Sequence, residues 1–331
     1  MRLLVLGGTH HVGRAVVETA LARGDQVTTV NRGNQPPAAD VDARRADRRV
    51  EGQLAAALAD DTWDAVVDTW SFEPLVVQQA ARLLDGRARH FGYVSSRSVY
   101  AWPIPSGADE SAPLVDGDPA STDATRYAEA KRGGELAVTQ EFTGQVLLAR
   151  AGLILGPYEV VGRLPWWLDR IAAGGRVAAP GPPSRPLQYV DARDLAAWML
   201  RCADAGTTGA FNAVSAPGHT TISELLGAAV TATGSDAELV WCTPGAIESA
   251  GLTGWSDLPI WAPPTGEIAA LHDGDVSAAT AAGLRCRPVQ ETVADTWAWM
   301  QAEPAVAPLS DRAGQLGISA AQEAELLASA G

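Results

Sequence analysis

The sequence predicts an α/β fold, a doubly wound parallel sheet followed by a smaller C-terminal lobe. Short apolar or β-branched runs alternate with amphipathic stretches five or six times in the first 150 residues. That alternation is the pattern of βα repeats with helices on both faces of a parallel sheet. A glycine-containing turn, Gly7-Gly8-Thr9-His10-His11-Val12-Gly13, joins the first strand to the first helix. The 331 residues exceed the roughly 100 to 200 of a typical single domain, so a second lobe is expected.

The elements follow in order. Arg2 to Leu6 is an apolar run, Val12 to Ala22 is amphipathic and ends at Gly24, and Gln26 to Val30 is β-branched and ends in Asn31-Arg32-Gly33. Strand, turn, helix and strand within about 30 residues make a right-handed crossover unit. A short strand is expected to end at Asp47. Helix-like Gly52 to Leu58 leads into Trp63 to Asp68, Pro74 to Leu84 leads into His90 to Ser95, and Asp123 to Phe142 leads into Gln145 to Ala149. Later the pattern changes: Pro180-Gly181-Pro182-Pro183 and Pro259 to Gly266 interrupt shorter helical pieces such as Ser223 to Thr233, and tryptophans become dense. The expected division is residues 1–157 in a dinucleotide-binding lobe to which 186–214 return, with 158–185 and 215–331 in the second lobe. The tail from Asp311 to Ala330 reads as a final exposed helix.

Asp and Glu outnumber Lys and Arg 39 to 25, a formal net charge of -14. A phosphate-backbone binder needs a basic face to displace counterions, so nucleic acid is excluded as a partner. Cys202, Cys242 and Cys286 have no spacing that suits zinc or a disulfide framework, and a reducing cytoplasm is expected. Leu3 to Leu6 is too short for a signal sequence, and no run of 18 apolar residues follows, so no membrane association is expected. His10 and His11 lack an acidic partner at metal-ligand spacing and are expected to pack the loop, with no metal.

Backbone N–H groups of Gly7 to Gly13 and the start of the first helix should face a pyrophosphate. The second strand ends in Asn31-Arg32, without the carboxylate that often holds the ribose 2′-OH of NAD. Arg32 could grip a 2′-phosphate, so NADP(H) is favoured, with NAD(H) as the alternative. Asp47 could approach the adenine, or belong with Arg48 and Arg49 to a surface cluster.

Tyr127 and Lys131 are four residues apart in one helical stretch, so both project from one face. An ammonium beside a phenol lowers its pKa from about 10 and makes it a usable acid or base. Lys131 is the one lysine against 24 arginines. Before that helix, Tyr93-Val94-Ser95-Ser96 ends a strand and sets a hydroxyl at the ligand edge of a parallel sheet.

These pieces resemble an extended, atypical short-chain dehydrogenase/reductase of the NAD-dependent epimerase/dehydratase-like group. The resemblance covers nearly the whole chain: the glycine turn, Tyr93-Val94-Ser95-Ser96-Arg97-Ser98-Val99-Tyr100, Tyr127-Ala128-Glu129-Ala130-Lys131, Arg150 to Pro157, Gln188 to Ala196, Gly283 to Pro288, and Trp297. It implies a Rossmann-type lobe binding NAD(P), a smaller substrate lobe, and catalysis by Ser96, Tyr127 and Lys131. The dinucleotide is then expected on Gly7, Gly8, Thr9, His10, His11, Val12, Gly13, Asn31, Arg32, Asp47, Asp68, Ser95, Tyr127 and Lys131. Two positions depart from the family, which usually has glycine at His10 and an aromatic at His11.

The arginines of the second half, Arg163, Arg170, Arg176, Arg185 and Arg287, match no clear diphosphate pattern. Trp102, Trp166, Trp167, Trp255 and Trp261 could stack on a bulky ligand beside Ser96, or simply be core. The expected function is therefore reduction of a carbonyl or imine on a small hydrophobic or natural-product-like substrate. The alternatives are an NAD-dependent nucleotide-sugar epimerase or dehydratase, and a non-catalytic nucleotide-binding regulator. A small-molecule substrate is the expected partner, and pairing into a homodimer is open.

Overall fold

The computed structural model describes residues 1–303 and 316–329. Strands β1 (Arg2–Leu6), β2 (Gln26–Asn31), β3 (Asp42–Arg45), β4 (Trp63–Asp68), β5 (Ala88–Ser96), β6 (Gln145–Ala151) and a last strand Gly209–Ala213 form one sheet. Its order is Gly209–Ala213, β6, β5, β4, β1, β2, β3, and every pairing is parallel. The chain winds outward from β1 to β3 and then crosses to β4 on the other side of β1. The loops leaving β1 and β4 therefore part at a switch point, where open α/β sheets hold ligands.

Helices α1 (His11–Ala22), α2 (Gln53–Leu58), α3 (Pro74–Leu84), α4 (Tyr127–Glu141), α5 (Arg163–Ala172), α6 (Ala192–Ala205) and α7 (Ile222–Thr233) account for most of the layers. α1 and α6 cover one face of the sheet through Val16, Ala20, Leu195, Trp198 and Met199. α2, α3 and α4 cover the other through Leu54, Val77, Ala81 and Val138, which pack with Phe91 of β5. A separate core gathers Leu164, Trp167 and Ile171 of α5, Leu225 and Leu226 of α7, Val293 and Trp261. It packs beside a parallel pair, Arg176–Pro180 with Glu238–Cys242.

Helix α4 starts at Tyr127, four residues later than its sequence pattern suggests. The Asp123 carboxylate accepts the Thr125 N–H and hydroxyl, both at 2.7 Å. This local turn competes with the helix and releases it only at Tyr127. Two glycines then sit inside α4, each costing roughly 0.5–1 kcal/mol against alanine. A Cβ at Gly133 would lie 2.6 Å from the Asp118 carbonyl oxygen, and one at Gly134 would overlap the Tyr93 ring and hydroxyl. Their absence lets α4 settle against β5, which fixes where Lys131 can reach.

The terminal helix is Ala320–Ser329; residues 311–315 and Ala330 lie outside the described residues. Contrary to expectation it is not exposed throughout, because Leu326 and Glu323 are buried. The Glu323 carboxylate accepts from Arg170 Nε at 2.6 Å and from the Ala178 N–H at 3.1 Å.

Candidate active site

A cleft of about 450 Å³ runs across the C-terminal ends of the strands. Gly7, Thr9, His10, His11, Val12, Gly13, Asn31, Arg32, Ser95, Ser96, Tyr127 and Lys131 all line it.

The glycine turn fits a pyrophosphate. Gly7 and Gly8 have φ of 125° and 98°, a region that strains any L side chain. A Cβ on Gly7 would lie 2.5 Å from Thr69 Oγ1, and one on Gly8 would lie 2.9 Å from Thr29 Cγ2. On Gly13 it would come within 2.7 Å of the Gly8 nitrogen, so α1 can start this close to the turn only with glycine there. The first turn of α1 has no acidic residue, and the N-cap His10 makes no side-chain capping bond. The N–H groups at the helix start are thus left for an anion in the cleft.

His10 is held below its ordinary pKa by burial and by Arg32 and Arg14. Burial pushes His11 down to about 4 despite a hydrogen bond to the Leu155 backbone, so its ring is neutral, and its Nε2 is buried without a partner. No group of three or more His, Cys, Asp or Glu among the described residues could hold a metal.

At the other end of the cleft, Lys131 is 2% exposed. Its Nζ donates to the Trp70 carbonyl at 2.6 Å and the Val94 carbonyl at 2.7 Å, and lies 4.8 Å from the centre of the Tyr93 ring. Burial lowers its pKa to about 7, opposed by Asp68 and Glu135. Tyr127, half-buried one helical turn before Lys131, is close enough to Tyr93 to influence its ionisation. Ser96 Oγ accepts the Ser98 N–H at 3.1 Å, capping a short turn Arg97–Val99, and donates to Ser98 Oγ at 3.1 Å.

Ser95 has a different partner. Its hydroxyl donates to Glu135 Oε1 at 2.7 Å, and Glu135 is also gripped by Arg150 at 2.9 and 3.1 Å. Arg150 continues to the Tyr100 hydroxyl, which donates to Asn212 Oδ1 at 2.7 Å. This network fastens α4, β5, β6 and the last strand together behind the cleft. Arg150 stands in a stretch quoted for the resemblance, yet nothing in the sequence linked it to Glu135.

Two acidic candidates are not brought into the cleft. Asp68 is fully buried, with its oxygens taken by Arg48 Nη1 and Nη2, each at 2.7 Å, and by the Trp70 N–H at 2.9 Å. Asp47 pairs with Arg49 at 3.0 Å and stands outside the lining. Arg48, read from sequence as part of a surface cluster, is instead 6% exposed and lines the cleft, as do Thr69, Trp70 and Phe72. The sequence carried no signal for these residues beyond the strand ends they follow.

None of the five candidate tryptophans lines this cleft. Trp167 is fully buried and donates from Nε1 to the Pro259 carbonyl at 2.7 Å, and Trp261 is buried in the same core. Trp166 packs edge-on against Trp167, Trp255 lies under Arg163 at 4.7 Å, and Trp102 is half-buried in its loop. Arg170 and Arg287 are engaged by Glu323 and Asp194, and Arg185 donates to the carbonyls of Ala262, Pro263 and Ala269. The five tryptophans that were the ground for a hydrophobic substrate are therefore absent from the cleft, whose one lining tryptophan among the described residues is Trp70.

The family model described as the NAD dependent epimerase/dehydratase family matches residues 3–213. No curated protein matches the sequence. Among solved structures, the Bordetella bronchiseptica enzyme WbmH in complex with NAD+ is similar at 19% identity and a TM-score of 0.68, over 91% of this chain and 98% of that one. The Thermus thermophilus UDP-glucose 4-epimerase complex with NAD is similar at 19% identity and a TM-score of 0.65, over 91% and 99%. The UDP-N-acetylglucosamine 4-epimerase of Methanobrevibacter ruminantium, in complex with UDP-N-acetylmuramic acid, is similar at 16% identity and a TM-score of 0.67, over 91% and 98%. At these identities the likeness is one of fold.

These comparisons correct two expectations. The family is defined by NAD, and structures of this fold were solved with NAD, so the preference for NADP(H) drawn from Arg32 does not stand. Its ground was the missing acid after β2, yet Arg32 is exposed at the mouth, a weaker position than a buried fork. Reduction of a hydrophobic carbonyl or imine falls as well, since the matching structures include nucleotide-sugar epimerases and the five tryptophans it relied on stand outside the cleft. No helix among the described residues is long and apolar enough to cross a membrane. The chain belongs to the NAD-dependent epimerase/dehydratase family, and is an enzyme of the short-chain dehydrogenase/reductase type.

Proposed function

We propose that this protein is an NAD-dependent epimerase or dehydratase acting on a nucleotide-linked sugar. The observation that carries the reading is the meeting of Ser96, Tyr127 and Lys131 with the glycine turn in one cleft of a chain in this family. When bound, NAD supplies a hydride acceptor that also returns the hydride, so the cycle needs no external reductant. Gly7 and the start of α1 would hold its pyrophosphate, while Gly8, expected from sequence as a contact, does not line the cleft and shapes the turn instead. The Tyr127 phenolate takes the proton of a sugar hydroxyl as the attached carbon is oxidised, and the phenol so formed gives it back on reduction. The Ser96 hydroxyl donates a hydrogen bond to the same sugar oxygen and so holds it beside the phenol. The Lys131 ammonium favours the phenolate and, positioned by the Trp70 and Val94 carbonyls, reaches the nicotinamide ribose.

Protein purified without added nucleotide, denatured and examined by mass spectrometry, tests the reading. Release of NAD in near-stoichiometric amount supports a closed redox cycle. Empty protein that takes up neither NAD nor NADH on titration overturns it.

A further inference from the structure

Three arginines are buried among the described residues, Arg48, Arg97 and Arg150. Arg48 and Arg150 each grip a carboxylate, Asp68 and Glu135. Arg97, 3% exposed, donates only to neutral oxygens, from Nη1 to the Leu271 carbonyl at 2.9 Å and to Gln188 Oε1 at 3.2 Å. Its Nε and Nη2 are buried without a partner. Asp273 and Glu110 act on it from beyond ion-pair range and have other partners, the Ser106 hydroxyl and the Asn212 N–H. A buried charge without a counter-charge is costly, and a neutral side chain would fill the same space without that cost. An arginine stays protonated at any working pH, so the charge is permanent.

The guanidinium stands behind the reacting end of the cleft. Arg97 follows Ser96, which pairs in register with Ala151 of β6, and Ser96, Ala151 and Gly152 all line the cleft. A Cβ on Gly152 would meet Arg97 Cδ at 3.5 Å, so the side chain runs directly behind that wall. Its far end lies against Gly274, where a Cβ would overlap Nη2. Gln188 fixes this place: its Oε1 also accepts the Gly274 N–H at 2.8 Å, and its Nε2 donates to the Ser215 and Gly274 carbonyls, both at 2.9 Å. Lys131, the other buried cation at this end, has Asp68 and Glu135 to offset its charge.

We propose that Arg97 biases the bound cofactor toward its reduced form. The inference rests on the NAD reading above, which sets the nicotinamide beside Ser96 and Tyr127. The nicotinamide ring of NAD is positively charged and that of NADH is neutral, so an uncompensated cation behind the wall opposes the first and is indifferent to the second. Two unit charges about 10 Å apart at an effective dielectric of about 20 change an affinity by roughly tenfold. A closed redox cycle gains from this bias, because the reduced cofactor must stay bound until the sugar is reduced again.

Titration calorimetry of nucleotide-free protein with NAD and with NADH gives the ratio of their dissociation constants. Arg97→Met keeps an apolar stem without the charge and should lower the NAD-to-NADH ratio roughly tenfold, while Arg97→Lys should keep the wild-type ratio. Gln188→Glu sets a carboxylate against Nη1 and should lower the ratio in the same way, so it decides the matter where a thermal melt shows Arg97→Met unfolded. A loss of packing alone weakens both nucleotides equally. Equal weakening in Arg97→Met, or a wild-type ratio in Gln188→Glu, overturns the proposal and leaves the NAD reading standing. A wild-type protein that binds neither NAD nor NADH overturns both.

Discussion

Gly13→Ala puts two local energies in opposition. Alanine in the first turn of α1 gains about 0.5–1 kcal/mol of helix propensity. Its Cβ, however, would sit 2.7 Å from the Gly8 nitrogen and 3.1 Å from the Gly8 Cα. Both are backbone atoms held by φ 98° at Gly8, with no flexible end to move aside. Relieving such an overlap costs about 1–3 kcal/mol, so the variant should be less stable by about 1 kcal/mol net. Moving the turn also spoils the convergence of its N–H groups, and NAD affinity should fall at least tenfold, about 1.4 kcal/mol. Gly227 in α7 is the control: a Cβ there meets nothing within 4 Å, and Gly227→Ala should gain the propensity term with NAD binding unchanged. Urea denaturation and calorimetry read both effects. A Gly13→Ala protein as stable as Gly227→Ala and binding NAD like wild type would show that the turn tolerates a methyl group there.

Other outcomes follow from the same geometry. Tyr127→Phe should abolish turnover while leaving NAD affinity within about twofold, read by calorimetry beside an activity assay; retained activity would remove the phenol from the mechanism. Asp68→Asn leaves the buried Arg48 without its counter-charge and should cost about 3 kcal/mol in urea denaturation; a loss below about 1 kcal/mol would show the pair to be solvated. Burial pushes His272 down to about 4, so between its unfolded pKa of about 6.5 and 4 the unfolded chain binds more protons and stability falls with pH. The full term is about 3 kcal/mol. Burial raises Glu159 to about 7, which acts in the opposite sense over the same range, so the comparison is with His272→Gln. From pH 7 to 4.5 wild type should lose about 2–3 kcal/mol more than the variant, and parallel losses would remove the histidine from the account.

The sequence was most legible where physics is local. The strand, glycine turn and helix from Arg2 to Ala22 depend on neighbours only, as does the spacing of Tyr127 and Lys131. Where a residue's role depends on a partner elsewhere in the chain, the local reading fails. Arg48 looks like one arginine of a surface run until β4 delivers Asp68 beside it, and Asp68 looks like a ligand-edge acid until Arg48 takes both oxygens. The Asp123 turn cut four residues from α4 that periodicity had included. Trp167 and Trp261 show why composition misleads: a loop tryptophan and a core tryptophan are spelled alike, and only packing against Pro259 and α5 separates them. The cofactor preference failed for a related reason, since it rested on Asn31-Arg32 at the end of β2 alone.

A redox cycle closed within one site is what sets the proposed reaction apart from a reductase's. Incubating the purified protein with a panel of UDP-sugars, following the sugar by NMR and NADH by absorbance in the same tube, tests it most directly. A closed cycle converts at least one sugar to an epimer or a dehydrated product with no net NADH formed. NADH accumulating in step with sugar consumption would contradict it.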